Sequence, residues 1–204
     1  MQPRGSLLAT ARKAKRYHVP IRKKIASIPK GFYNTNMPDI KHKNQRVAVF
    51  IDAQNLYHSA RSLFGGRVNF KTLLQTAVGG RQLIRAFGYV IRTKTGEEKP
   101  FFEALTKLGI ETREKDLQEF FGGAKKADWD VGLSVDAIRT SVIVDTIVIV
   151  SGDGDFIPLV EYLKNQGRRV EVMAFGRSAS GKLKEAVDEF IDLGEESGKY
   201  VIKR

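Results

Sequence analysis

Two runs of β-forming apolar residues, Val47-Ala-Val-Phe-Ile51 and Ile147-Val-Ile-Val150, constrain the fold of this chain most strongly. A strand that is apolar at every position, not at alternate ones, must be covered on both faces. That is the situation of inner strands in a parallel sheet flanked by helices. Each run ends in carboxylates. Asp52 follows the first, and Ser151-Gly-Asp153-Gly-Asp155 follows the second. The residue after a buried parallel strand lies at the sheet's C-terminal edge, where open α/β sheets place their ligand sites.

The flanking sequence alternates in the same way. Strands are predicted at Arg46–Asp52, Gln82–Ile91, Ile110–Arg113, Asp145–Val150, Arg169–Phe175 and Phe190–Leu193. Helices are predicted at Asn55–Ser62, Phe70–Val78, Lys99–Leu108, Asp130–Ser141, Phe156–Asn165 and Ala179–Val187. Gly109 and Gly167 stand where helices end. The alternation predicts an α/β fold, a mainly parallel sheet with helices on both faces and right-handed crossovers. Gly122-Gly123 with Lys125-Lys126 reads as a flexible loop, and residues 195–204 read as a polar, frayed tail.

At 204 residues the chain suits one good core. It has no cysteine, which excludes disulfides and thiolate-ligated metals. No apolar run is long enough to span a bilayer and no secretory signal is visible, so no membrane partner is expected and the cytoplasm is the default location. The net charge of +12 is unevenly placed: residues 1–46 hold twelve cations against the single anion Asp39. Residues 1–45 therefore read as a disordered basic arm, broken by Pro20, Pro29, Gly31 and Pro38. Such an arm attracts a polyanion through counterion release. A solubilising tail and a transit peptide are the other readings.

The acidic positions each have a structural and a chemical reading. Asp52 after an apolar strand is costly unless solvated, paired or metal-bound. Asn55, three residues on, reads either as a helix cap or as a substrate contact. In Asp128-Trp-Asp130 either acid suits the start of the helix that follows. Val131, Leu133, Val135 and Ile138 are expected to form that helix's apolar side. Asp136 lies mid-helix with no cap to make, so it faces the site or a basic partner. Lys126 suits a phosphate or a carboxylate. In the Ser151–Asp155 turn, two glycines let backbone approach a ligand closely. Asp155 reads as a cap for the next helix, and Asp153 is the better metal ligand. An all-oxygen donor set suits Mg2+ or Mn2+. His18, His42 and His58 are not expected to join the acids. The EF-hand spacing, the Walker loop and the Rossmann glycine fingerprint are absent.

These motifs resemble the NYN domain family, the LabA-like branch of the PIN-like nucleases. Phe50-Ile-Asp52-Ala-Gln-Asn55, Lys126-Ala-Asp-Trp-Asp130-Val-Gly-Leu-Ser-Val-Asp136 and Ser151-Gly-Asp-Gly-Asp155-Phe carry the resemblance, with Gly167-Arg-Arg-Val-Glu-Val and Phe190-Ile-Asp-Leu, over about residues 46–194. It implies a PIN-like (Rossmannoid) three-layer α/β/α sandwich with a five- to six-stranded sheet, and metal-dependent ribonuclease chemistry. The implied acidic site is Asp52, Asp130, Asp136, Asp153 and Asp155, with Asn55, Lys126 and Ser151 on the substrate side. Asp52, Asp136 and Asp153 are expected to hold the Mg2+ or Mn2+. RNA is the implied partner, its cleavage leaving a 5′-phosphate and a 3′-hydroxyl. A non-catalytic RNA-binding or regulatory module and a small-nucleotide phosphohydrolase are the alternatives. A homodimer is compatible with the sequence, which itself sets no oligomeric state.

Overall fold

The computed structural model describes residues 41–93, 96–119, 125–126 and 128–203. The basic arm up to residue 40 and the Gly122-Gly123 segment lie outside the described residues.

The first strand, β1 (Arg46–Asp52), leads into α1 (Ala53–Phe64), β2 (Arg67–Val68) and α2 (Phe70–Val78). Then come β3 (Gln82–Arg92), α3 (Lys99–Lys107), β4 (Glu111–Asp116), and the short pair β5 (Gln118–Glu119) and β6 (Lys125–Lys126). The second half runs α4 (Asp130–Ser141), β7 (Thr146–Val150), a 3-10 turn at Gly154–Phe156, α5 (Ile157–Asn165), β8 (Arg169–Ala174), α6 (Gly181–Ala186) and β9 (Glu189–Asp192). It ends in α7 (Ser197–Tyr200) and β10 (Val201–Ile202).

Six strands form one sheet in the order β4-β3-β1-β7-β8-β9, and every neighbouring pair is parallel. The fully apolar runs occupy its centre. Val47, Val49 and Ile51 pack on one face with Leu56 and Leu73, and Ala48 and Phe50 pack on the other with Leu133 and Ala137. Successive side chains of one strand thus enter two different cores, which makes the molecule three-layered.

From β1 in the middle of the sheet the chain builds outward through β3 and β4, then crosses back to extend the other side from β7. The strand order therefore reverses between β1 and β7, and the crevice beyond such a reversal is left open by the diverging connections. Ile51 is registered with Val150, so Asp52 and Ser151 emerge side by side at that crevice.

Three local expectations change. The C-terminal segment is not frayed: β10 pairs with β2, Tyr200 and Val201 are 2% and 7% exposed, and the Tyr200 hydroxyl donates to Thr76 Oγ1 at 3.2 Å. Residues 41–45 join the folded body. Lys41 pairs with Glu189 at 3.0 Å and with the buried Glu171 at 3.6 Å, and Gln82 N donates to Gln45 O at 3.0 Å. Lys125-Lys126 is a strand antiparallel to Gln118–Glu119. No helix among the described residues is long and apolar enough to cross a membrane.

Candidate acidic active site

At the β1–β7 crevice the first wall is the start of α1. Asp52 is the helix N-cap, and its Oδ1 accepts from Asn55 N at 3.0 Å. Its Oδ2 accepts from the Ser151 hydroxyl at 3.2 Å. Asn55 is therefore not the cap. It lies inside the helix, and its Oδ1 accepts the Gly152 N–H at 3.1 Å, tying α1 to the turn after β7. Ser151 is fully buried and also accepts from Asp153 N at 3.3 Å. Burial pushes the Asp52 carboxyl above its ordinary value, and Asp153 adds to this, while the Asn55 and Ser151 hydrogen bonds oppose it.

The second wall is the 3-10 turn. Asp153, not Asp155, caps it, with Oδ1 accepting from Asp155 N at 3.0 Å. The next helix, α5, starts without a side-chain cap. The glycines of this turn make room for the protein itself. A Cβ on Gly152 would sit 3.0 Å from Ala179 Cα, and one on Gly154 would sit 3.0 Å from Ser180 Oγ. Ser180 N donates to Gly152 O at 2.9 Å, so the close backbone approach is to the β8–α6 connection.

The third wall is the start of α4. Trp129 occupies the cap position without a capping hydrogen bond, and Asp130 is the first helical residue. The indole is clamped by donation from its Nε1 to Val90 O at 2.9 Å and by contact with Tyr89. Gly132 is required beneath it, because a Cβ there would lie 2.6 Å from the ring. With Trp129 held this way, Asp130 is delivered into the crevice.

Asp130, Asp153 and Asp155 converge, one oxygen of each lying within 4.8 Å of the others. Asp130 and Asp153 are half-buried and Asp155 is exposed. Burial raises the Asp130 carboxyl above its ordinary value, with further repulsion from Asp153, Asp128, Asp52 and Asp155. This donor set fits a hard divalent cation, which would relieve a concentration of negative charge that no described cation offsets in the cluster.

The expected ligand trio of Asp52, Asp136 and Asp153 is grouped differently. Asp52 stays beside the cluster with both oxygens hydrogen-bonded by protein. Asp136 lies six residues beyond Asp130, about 9 Å along the helix and about 120° around it. It takes the basic partner: its Oδ2 accepts from Arg113 Nε at 3.3 Å and from the Tyr89 hydroxyl at 3.1 Å. Lys126 lies in β6, with its side chain outside the described residues. An open cleft of about 260 Å3 is lined by Asp52, Asn55, Asp128, Trp129, Asp130 and Asp153, and also by Gln54, His58 and Ser59. His58 lines this cleft without belonging to the clustered group of ligand oxygens. Once α1 is taken to start at Ala53, His58 and Ser59 fall three and four residues after Asn55, on the same helix face.

The match to the NYN domain extends over residues 46–194. The chain is 28% identical over 158 residues to the low amplitude and bright protein LabA of Synechococcus elongatus, a stretch covering 74% of this chain and 84% of that protein. A crystal structure of a protein of unknown function from Vibrio parahaemolyticus, VPA0982, superposes with a TM-score of 0.72 at 27% identity. The overlap covers 80% of this chain and 99% of that one.

Proposed function

Because the chain belongs to the NYN domain family, we propose that it is a metal-dependent ribonuclease that hydrolyses RNA phosphodiester bonds in the acidic cleft at the β1–β7 crossing. The observation that carries this reading is the convergence of Asp130, Asp153 and Asp155 within 4.8 Å, from the start of α4 and the turn after β7. Those three residues would hold Mg2+ or Mn2+. When bound, such a cation supplies Lewis-acid polarisation of the phosphate and acidifies water.

The chain's own residues do the rest. Ser151 and the Asn55 N–H fix the Asp52 carboxylate at the edge of the cluster. Its raised proton affinity suits it to accept the proton that attacking water releases. Asn55 holds the Gly152 backbone, and with it the turn carrying Asp153 and Asp155. Asp136 acts at a distance, bracing α4 against β3 and β4 through Tyr89 and Arg113. Gln54, His58 and Ser59 on one side and Trp129 on the other meet the RNA strand. The basic arm raises the local concentration of RNA through salt-dependent attraction.

The test is incubation of the full chain with labelled single-stranded RNA and matched DNA, in Mn2+, in Mg2+ and in EDTA, beside Asp153→Asn. Asparagine retains the capping oxygen and removes the charge. Metal-dependent RNA cleavage that disappears in the variant supports the reading. RNA binding without cleavage under any condition overturns it in favour of a binding module.

A further inference from the structure

The β8–α6 connection, residues 175–180, borders the acidic cleft on the β8 side. It is braced without help from its one charged side chain. Gly176 N donates to Asp192 Oδ1 at 2.8 Å, Lys184 Nζ donates to Gly176 O at 2.5 Å, and Ser180 N donates to Gly152 O at 2.9 Å. The Ser178 hydroxyl donates to Ser59 Oγ at 3.0 Å, and Ser59 lines the cleft. Arg177 is exposed, and its side chain makes no hydrogen bond or ion pair among the described residues. The packing of the connection gives no reason for a cation there.

A second cation stands at the other rim. Lys115 of β4 donates from Nζ to Asp128 O at 2.9 Å and lies 5.7 Å from the centre of the Trp129 ring. Asp128 and Trp129 both line the cleft. Arg85 and Arg92 of β3 and Arg113 of β4 each face a carboxylate. Lys115 forms no ion pair among the described residues. Strand order sets the acids between Lys115 and Arg177. The cluster lies beyond β1 and β7, with β4 two strands away on one side and β8 next on the other. From β4 to β8 is about 19 Å across the sheet. The row reads cation, acids, cation, and a divalent ion on the acids makes it three positive stations. One phosphate cannot engage all three, whereas a chain of phosphodiesters can.

We infer that a single RNA strand crosses the C-terminal edge of the sheet from Lys115 to Arg177, with one phosphate over the acids and its neighbours on these two side chains. This rests on the reading that RNA occupies the acidic cleft. It deepens that reading by specifying a polymer and not a nucleoside monophosphate. Both cations hold the strand through charge and leave its bases unread.

The test is anisotropy titration of the full chain in Mg2+ over a range of salt. The probe is a labelled single-stranded RNA whose phosphorothioate linkages keep their charge and resist hydrolysis, beside matched DNA. Arg177→Ala and Lys115→Ala are each expected to weaken RNA binding at least about threefold in low salt and to flatten the log–log salt dependence by about 0.7. Arg177→Lys and Lys115→Arg keep the charge and should keep the affinity. Lys107→Ala removes an exposed cation from the C-terminal end of α3 and should bind as the parent does. Adenosine monophosphate should compete for the cleft as well in either alanine variant as in the parent. Equal losses with DNA support the path, since phosphate contacts do not read the sugar. An alanine variant that binds like the parent overturns the proposal. So does an equal loss in Lys107→Ala, a charge-keeping variant as weak as alanine, or a loss for adenosine monophosphate as large as for the strand. The expected binding losses in a chain that cleaves no RNA refute hydrolysis alone, and cleavage with unaltered binding in the variants refutes this path alone.

Discussion

Replacing Asp130 with Asn removes one negative charge from the acidic group and leaves the side chain's size unchanged. Asp130 makes no capping hydrogen bond that the change would cost. An oxygen of Asp130 lies within 4.8 Å of one from Asp153 and one from Asp155. Two unit charges at that separation repel by about 1 kcal/mol in a water-like dielectric and about 3.5 kcal/mol at an effective value near 20. The cleft is open, so the lower figure is the better guide for each pair. Against this, losing an anion from the first turn of α4 costs about 0.3–1 kcal/mol. Without divalent cation the variant is therefore expected to be more stable than the parent by about 1–2 kcal/mol. For a body of this size that raises the melting midpoint by about 2–8 °C. With Mg2+ or Mn2+ the order reverses. A cation at a hundred times its dissociation constant stabilises the parent by about 2.7 kcal/mol, and the variant gains far less. The pH dependence follows from the raised carboxyl of Asp130, caused first by burial and then by its acidic neighbours. A raised acid holds its proton more tightly in the folded protein. Its destabilising effect is complete above the folded pKa and absent below the unfolded one, so the variant's advantage should vanish below about pH 4. Circular dichroism melts in EDTA and in each cation, from pH 7 down to pH 3, measure all of this. A variant less stable than the parent in EDTA, or one whose midpoint rises with Mg2+ as much as the parent's, refutes the reasoning.

Glu171→Gln should be among the most damaging single changes. Glu171 and Arg81 have fully buried side chains joined at 2.7 and 2.8 Å, and Arg169 Nε adds a third bond at 2.8 Å. Breaking such a pair on one side costs about 3–5 kcal/mol, readable as a lower urea midpoint at unchanged slope. Burial pushes the Glu171 carboxyl up, but its arginine partners outweigh this and hold it below its ordinary value. The gap between parent and variant should therefore persist at neutral pH and narrow as acid protonates Glu171, below about pH 4. Asp145→Asn should cost less than about 1 kcal/mol, since its pair with Arg46 is solvent-exposed. Arg46 holds the Asp145 carboxyl down at about 2, so that small contribution is present above about pH 4 and lost as the pH falls toward 2. Deleting residues 1–40 removes nine cations and one anion. It should weaken RNA binding and flatten its salt dependence in anisotropy titrations while leaving the melt unchanged. Extending the deletion to residue 45 should also lower the melt, because it removes the Lys41 ion pairs and the Gln45 contact with Gln82.

The two central strands, and the carboxylates that end them, were legible because an unbroken apolar run has one stable environment, a sheet covered on both sides. The extent of α4 was legible as well, but its orientation was not. Apolar residues lie all around it, and Leu133 and Ala137 turn inward while Val131, Val135 and Ile138 face out. Composition also misread the C-terminus. Its polar residues suggested fraying, yet Tyr200 and Val201 find a place in the core only when β2, distant in sequence, is there to pair with β10.

The same division runs through the site. Periodicity and strand ends alone bring Asp52, Asp130, Asp153 and Asp155 to the C-terminal side of the sheet, because a local pattern determines where a strand stops and a helix starts. Which carboxylates converge was decided by contacts between segments far apart in the chain. Helix geometry alone sets Asp136 about 120° around α4 from Asp130, and Arg113 of β4 and Tyr89 of β3 supply the partners it meets there. The crossing from β4 back to β7 sets the Asp153 turn against Asp130 and brings His58 of α1 into the same cleft. Those contacts depend on strand order, which no local pattern encodes, and so only the folded sheet could assemble the group.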